Sequence, residues 1–258
     1  MRTTCRATLA IIAAFGLSGI ACAQSHAAPQ PAPDWTGYYT EARGKNLAGL
    51  KPLNPNLSEV VTAHLQPWAR AKMEATDGVA DDTGAICEPD GVFRYPVNAQ
   101  GPGSFLWLPA ADKIVLIYAQ INTAGVRRIY LNRKHPASPL PTWNGDSIGH
   151  WEGDTLVVDT IGFNDKSWLH PAMQPHTEET HLIERFRLLP EAGGNVLEMA
   201  ATVEDRQALT SAYTFTRYFR KSGESLPENI CNDDIDIWRD FKNKALNRHL
   251  QGAREVRP

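Results

Sequence analysis

Between about Phe93 and Lys221 the chain breaks into eight short runs rich in β-branched and aromatic residues. They lie near 104–108, 113–121, 126–132, 147–152, 154–161, 181–189, 195–204 and 211–220. Turn formers separate them: Ala110-Ala111-Asp112, Asn122 to Gly125, Gly153 and Gly193-Gly194-Asn195. Many consecutive short strands with tight turns predict an antiparallel meander, closed into a barrel or folded as a sandwich. Strands do not alternate with helices, and no glycine-rich phosphate loop appears, which disfavours Rossmann and P-loop folds.

The flanks read differently. Residues 24–34 are rich in Ala, Pro and Gln, and 24–55 as a whole predicts a disordered or extended N-terminal segment. Leu57, Val60, Val61, Leu65, Trp68, Ala69 and Met73 then recur near helical spacing. They predict a helix over 57–75, capped by Asn56 or Ser58 and broken or kinked at Pro67. Ile235, Ile237, Trp238, Phe241, Ala245 and Leu246 predict a C-terminal helix that plugs or flanks the β unit. The expected organisation is a leader (1–23), the N-terminal segment (24–55) and one β-rich domain with flanking helices (56–258).

The leader carries Arg2 and Arg6, then a small and apolar run to residue 21, then Ala21-Cys22-Ala23 as a cleavage site. That run is too short for a comfortable transmembrane helix. Cleavage after Ala23 predicts a periplasmic or secreted protein with no integral membrane segment; lipidation at Cys22 is the alternative. Loss of Arg2 and Arg6 takes 26 basic residues to 24 against 29 acidic ones, a net charge of −5. Such a surface offers no basic tract for nucleic acid. Two cysteines remain, Cys87 and Cys231, 144 positions apart. In an oxidising compartment they most simply pair, which restrains the unfolded chain by about 4–5 kcal/mol. Two buried thiols are the alternative, and no C-x-x-C neighbour suggests a metal.

Residues 143–164 carry two competing signals. Gly145-Asp146-Ser147-Ile148-Gly149 fits the G-x-S-x-G of serine hydrolases. A nucleophile elbow needs a helix after the serine, however, and here Glu152-Gly153-Asp154 leads into the β-branched run Thr155-Leu156-Val157-Val158. Ser147 is therefore expected on a strand, its glycines shaping a hairpin. The whole block resembles a family of exported bacterial proteins sharing G-x-S-x-G-x-W-E-G-D-T-L-V-V-D-T. The resemblance extends to Arg128-Ile129-Tyr130, Arg133-Lys134-His135-Pro136, His176, His181, Glu184-Arg185-Phe186 and Glu204-Asp205, covering roughly residues 87–235. It implies export and a β fold. Because its members occur in bacteria that degrade aromatic and other plant-derived compounds, it also implies an aromatic substrate or ligand. It implies no particular reaction.

Strand alternation selects candidate site residues. Glu184 shares a face with Leu182, Phe186 and Leu188, so a carboxylate is expected inside, either poised for acid–base work or held in an ion pair with Arg128 or Arg217. Val126, Arg128 and Tyr130 share one face; Tyr213, Phe215, Arg217 and Phe219 share another. Both are expected to line an aromatic pocket with two guanidiniums. His150 and Glu152 share a face opposite Trp151. His135 precedes Pro136 in a loop, and His176 and His181 flank a loop-to-strand junction; the three are candidates for acid–base roles or, less well supported, a divalent metal.

Two function classes follow from a lipocalin/calycin-like barrel. One is a cofactor-independent acid–base enzyme of lyase, hydratase or isomerase type, with Glu184, His135, His176, His181 and Glu152 catalytic and Arg128, Tyr130, Arg217, Tyr213, Phe215 and Trp151 holding an aromatic substrate. The other is a binding protein using the same pocket without chemistry. A serine hydrolase at Ser147 is disfavoured. A structural protein would have its barrel solidly packed.

Overall fold

A computed structural model describes residues 34–42, 50, 56–78, 81–86, 88–94, 103–119, 125–189 and 196–226, all within one compact unit, Ala32–Pro258. Nine strands form it: β1 (Gly37–Glu41), β2 (Ser104–Pro109), β3 (Lys113–Ala119), β4 (Gly125–Leu131), β5 (Asp146–Glu152), β6 (Thr155–Ile161), β7 (His181–Leu189), β8 (Val196–Glu204) and β9 (Tyr213–Ser222). They pair in chain order, and β1 closes on β9 to complete a barrel. Strands β2–β9 match the eight expected runs within a few residues. The ninth, Gly-Tyr-Tyr-Thr-Glu, comes from the segment expected to be disordered or extended ahead of the domain; without it β2 and β9 would be open edges.

The meander has one exception. Strands β4 and β5 run parallel, through Ile129↔Ser147, Tyr130↔Ile148 and Leu131↔Gly149. A parallel neighbour requires a crossover of a dozen or more residues. Residues 132–145 supply it as a strap over the outside, with Asn132 in the left-handed region (φ 59°) at its start. Next comes the β5–β6 hairpin, closed by Gly153-Asp154 with Gly153 at φ 65°, as a turn with glycine at its first central position requires.

The expected N-terminal helix is two helices, α1 (Leu57–Ala63) and α2 (Pro67–Ala75). Asn56 caps α1 by accepting from the Glu59 amide at 3.3 Å, and Pro67 opens α2, where its missing N–H costs nothing. A four-residue helix, α3 (Gly91–Arg94), is wholly buried. These helices sit at the barrel end where β9 begins. The Gln66 amide donates to Ala208 O at 2.8 Å, Trp68 Nε1 donates to Gln207 O at 2.7 Å, and the His64 ring packs on Tyr213. This is the capped end; the turns after β2 and β5 mark the hairpin end. No described helix is long and apolar enough to cross a membrane. The leader, the predicted C-terminal helix, Cys87 and Cys231 lie outside the described residues.

Inside, successive strands contribute one dense core. Ile129, Leu156, Val158, Leu197 and Val203 of the inward faces are 0% exposed. At the hairpin end Trp35, Trp107, Trp151 and Phe186 pack edge to face, with ring centroids 4.9–5.4 Å apart.

Candidate functional site

Glu184 points inward, as its apolar face predicts, and is 3% exposed. Its partner is Arg127. Arg127 Nη1 donates to Glu184 Oε1 at 3.0 Å and Nη2 to Oε2. The same guanidinium donates from Nε to Ser147 Oγ at 3.1 Å and from Nη2 to Thr160 Oγ1 at 2.9 Å, and also bonds the Tyr118 side chain. Burial is the largest influence and would lower Arg127's proton affinity, but the Glu184 carboxylate and the Tyr118 hydroxyl together outweigh it and hold the guanidinium charged. With both oxygens of Glu184 engaged, the group is a buried structural ion pair. Ser147 serves that network: it also bonds Thr160 Oγ1 at 3.0 Å, and no described helix follows it.

The arginine expected here, Arg128, is exposed on the outer face, as are Val126 and the partly buried Tyr130. The expected pocket face of β4 is therefore its outside, and the inward residues are Arg127 and Ile129. By contrast Tyr213, Phe215, Arg217 and Phe219 all turn inward as expected.

The catalytic candidates do not converge. His176 is buried at the capped end against Phe93 and Phe163. Its Nε2 lies 2.9 Å from Ser167 Oγ, and its Nδ1 lies 3.2 Å from Thr177 O and 3.1 Å from Thr180 Oγ1. A carbonyl only accepts, so Nδ1 carries the proton and Nε2 accepts from Ser167. Burial pushes this imidazole down to about 4. Ser167 is only 2% exposed and packs on Gly91, where an added Cβ would sit 2.8 Å from its Oγ. Thr180 passes the chain of bonds to Asp205 at 2.8 Å. The result pins α3 to the segment around 163–180.

His135 and His181 do meet, on the outer face. His135 Nε2 lies 3.2 Å and His181 Nε2 2.9 Å from the same oxygen, Asp159 Oδ1. His135 Nδ1 lies 2.8 Å from Asp146 Oδ1, and Arg133 bonds Asp146 Oδ2. Among the described residues no group of three or more His, Cys, Asp or Glu is arranged to hold a metal ion. Glu152 is elsewhere again, exposed at the hairpin end with His150 at 3.1 Å and Arg185 at 2.5 Å, while Trp151 on the opposite face joins the inner indole cluster.

Towards the capped end, two aromatic rings and an ion pair meet on the inward face, all buried: Tyr118 (5% exposed), Phe215 (6%), Arg217 (6%) and Glu41 (9%). Arg217 Nε lies 3.3 Å from Glu41 Oε1, and its guanidinium stands 5.5 Å from the Phe215 ring centroid. Burial pushes the Tyr118 hydroxyl up to about 12, so it is a neutral donor. His170 belongs to the same end: burial, helped by the charges of Arg217 and Arg94, pushes it down to about 4. Glu41 was not legible as a site residue, because β1 itself was not foreseen; the alternation of Tyr39 and Glu41 within Gly-Tyr-Tyr-Thr-Glu was its only signal.

No protein-family model matches the chain, and no curated protein matches it. Solved structures with a similar arrangement include the REP1-NXSQ fatty acid transporter, at 8% identity and TM-score 0.37, covering 74% of this chain and 98% of that one. Another is a secretary abundant heat soluble protein from Ramazzottius varieornatus, at 12% identity and TM-score 0.36, covering 73% and 95%. The barrel itself is established by the strand pairing.

Proposed function

We propose that this protein is an exported binding protein that takes up a small, flat organic molecule at the capped end of its barrel and releases it unchanged. One observation carries the reading: the inward face joins aromatic rings to a buried ion pair, at Tyr118, Phe215, Arg217 and Glu41. Aromatic faces supply area, and a few polar groups fix orientation. Because Glu41 already balances Arg217, a neutral ligand carrying a hydroxyl and a carbonyl fits better than an anion, whose charge would need a new counterion. The resemblance to a family from bacteria that degrade aromatic compounds supports the same class. Arg2, Arg6 and the Ala21-Cys22-Ala23 site support export to the periplasm.

The scattering of the catalytic candidates weighs against an acid–base enzyme, since proton transfer needs its groups within bonding reach of one substrate. The test is calorimetry of the mature protein with vanillin, followed by chromatography of the recovered compound. Saturable binding with vanillin recovered intact is expected, weakened at least tenfold by Phe215→Ala. A second reading draws on Asp159 between His135 and His181: conversion of vanillin by the wild type, lost in His181→Gln, would replace binding by catalysis.

A further inference from the structure

We propose that the β4–β5 seam is the gate through which the ligand reaches the barrel; the inference rests on the binding reading above. A closed barrel admits a molecule only where strands part or an end opens. The seam has only three paired residues and is the barrel's one parallel pair; the two antiparallel seams of β1 have four each, and the remaining antiparallel seams six or more. Parallel pairing is also somewhat less stable per residue.

Side chains hold the seam on both faces. Inside, Arg127 of β4 reaches across to Ser147 of β5, Thr160 of β6 and Glu184 of β7. Outside, Arg133 and His135, in the strap that leaves β4, bond Asp146 at the start of β5. Asn144 Nδ2 donates to Val126 O at 3.3 Å. Opening parts a short backbone ladder, and on the inside it requires Arg127 to leave Ser147, Thr160 and Glu184. Towards the interior β5 offers only Ser147 and Gly149 here, and a Cβ at Gly149 would lie 2.9 Å from Ile129 Cγ2, so β4 packs directly on β5 backbone. Separating the two strands therefore moves no bulky β5 side chain. The gate adjoins the site: Tyr118, which lines the ligand surface, is bonded to Arg127.

The test is a disulfide across the seam, Tyr130→Cys with Ile148→Cys, at directly paired, outward-facing positions. Stopped-flow quenching of tryptophan fluorescence by vanillin reads the association rate. At least a tenfold slower association is expected in the oxidised variant, restored by reductant, with the wild type unaffected by the same reductant. Vanillin bound at equal rates by oxidised and reduced variant overturns the gate alone. No binding by the wild type overturns the binding reading and the gate with it. Hydrogen exchange of the wild type guards against a variant that does not fold: amides of 129–131 and 147–149 should exchange before those of 182–188 and 197–203. Equal protection of the two sets contradicts the proposal.

Discussion

Arg127 shows how one residue decides the interior. It is 1% exposed and spends its donors on Glu184, Ser147, Thr160 and Tyr118. Glu184→Gln leaves its charge unpaired in the core and should cost roughly 3–5 kcal/mol, whereas Arg127→Met with Glu184→Leu should recover most of that; urea denaturation measures both. Alternation made Glu184 legible, because Leu182, Phe186 and Leu188 share its face. It misplaced the partner, because Arg127 and Arg128 are adjacent and a strand read one residue out of phase exchanges its faces. Val126, 43% exposed, and Tyr130 made the wrong face look apolar. His176 supplies a pH test. Its imidazole is held down at about 4 by burial, so between pH 4 and 6.5 the folded protein binds fewer protons than the unfolded chain. Stability should therefore be full above about pH 6.5 and fall by about 3 kcal/mol as pH drops towards 4. His176→Gln should reduce that slope, with His170, also pushed down to about 4, supplying the remainder; if denaturation midpoints of wild type and variant run parallel from pH 4.5 to 7.5, the buried neutral imidazole at His176 is wrong.

Among the elements, the β5–β6 hairpin was the most legible and the strap the least. Gly153 and the β-branched run after it announce a turn and a strand through local backbone preference. The glycines of G-x-S-x-G have structural reasons: Gly145 sits at φ 65° with an added Cβ only 2.7 Å from Ile161 O, and Gly149 gives β4 its close approach. Gly145→Ala should lower stability by about 2 kcal/mol or more, through left-handed strain plus collision. Gly153→Ala, also left-handed but with nothing within 4 Å of an added Cβ, should cost about 1 kcal/mol. Thermal unfolding of the pair checks the order, and equal costs would contradict the packing described. The parallel β4–β5 pairing left no local mark, because which strand lies beside which is set by where 132–145 runs. β1 was hidden for a related reason: its five residues stand far from the other strands in the chain, and pairing with β2 and β9 is what holds them.

At the scale of the whole molecule, the barrel class was legible from eight short runs separated by turn formers, while the filling of its interior was not. That filling depends on which side chains occupy which layer: the indoles close the hairpin end, aliphatic residues fill the middle, and Tyr118, Phe215, Arg217 and Glu41 pack towards the capped end. Each catalytic candidate is set by its own strand or loop, so nothing requires them to meet, and they occupy the core, the capped end and two outer sites. The central claim is that a small aromatic molecule binds inside the barrel beside Arg217. Methionine ε-methyl NMR tests it directly, because Met199 is paired across from Arg217 on an inward face. Titration with vanillin should move the Met199 signal in a saturable way. A Met199 signal that stays fixed at saturating vanillin would contradict the account.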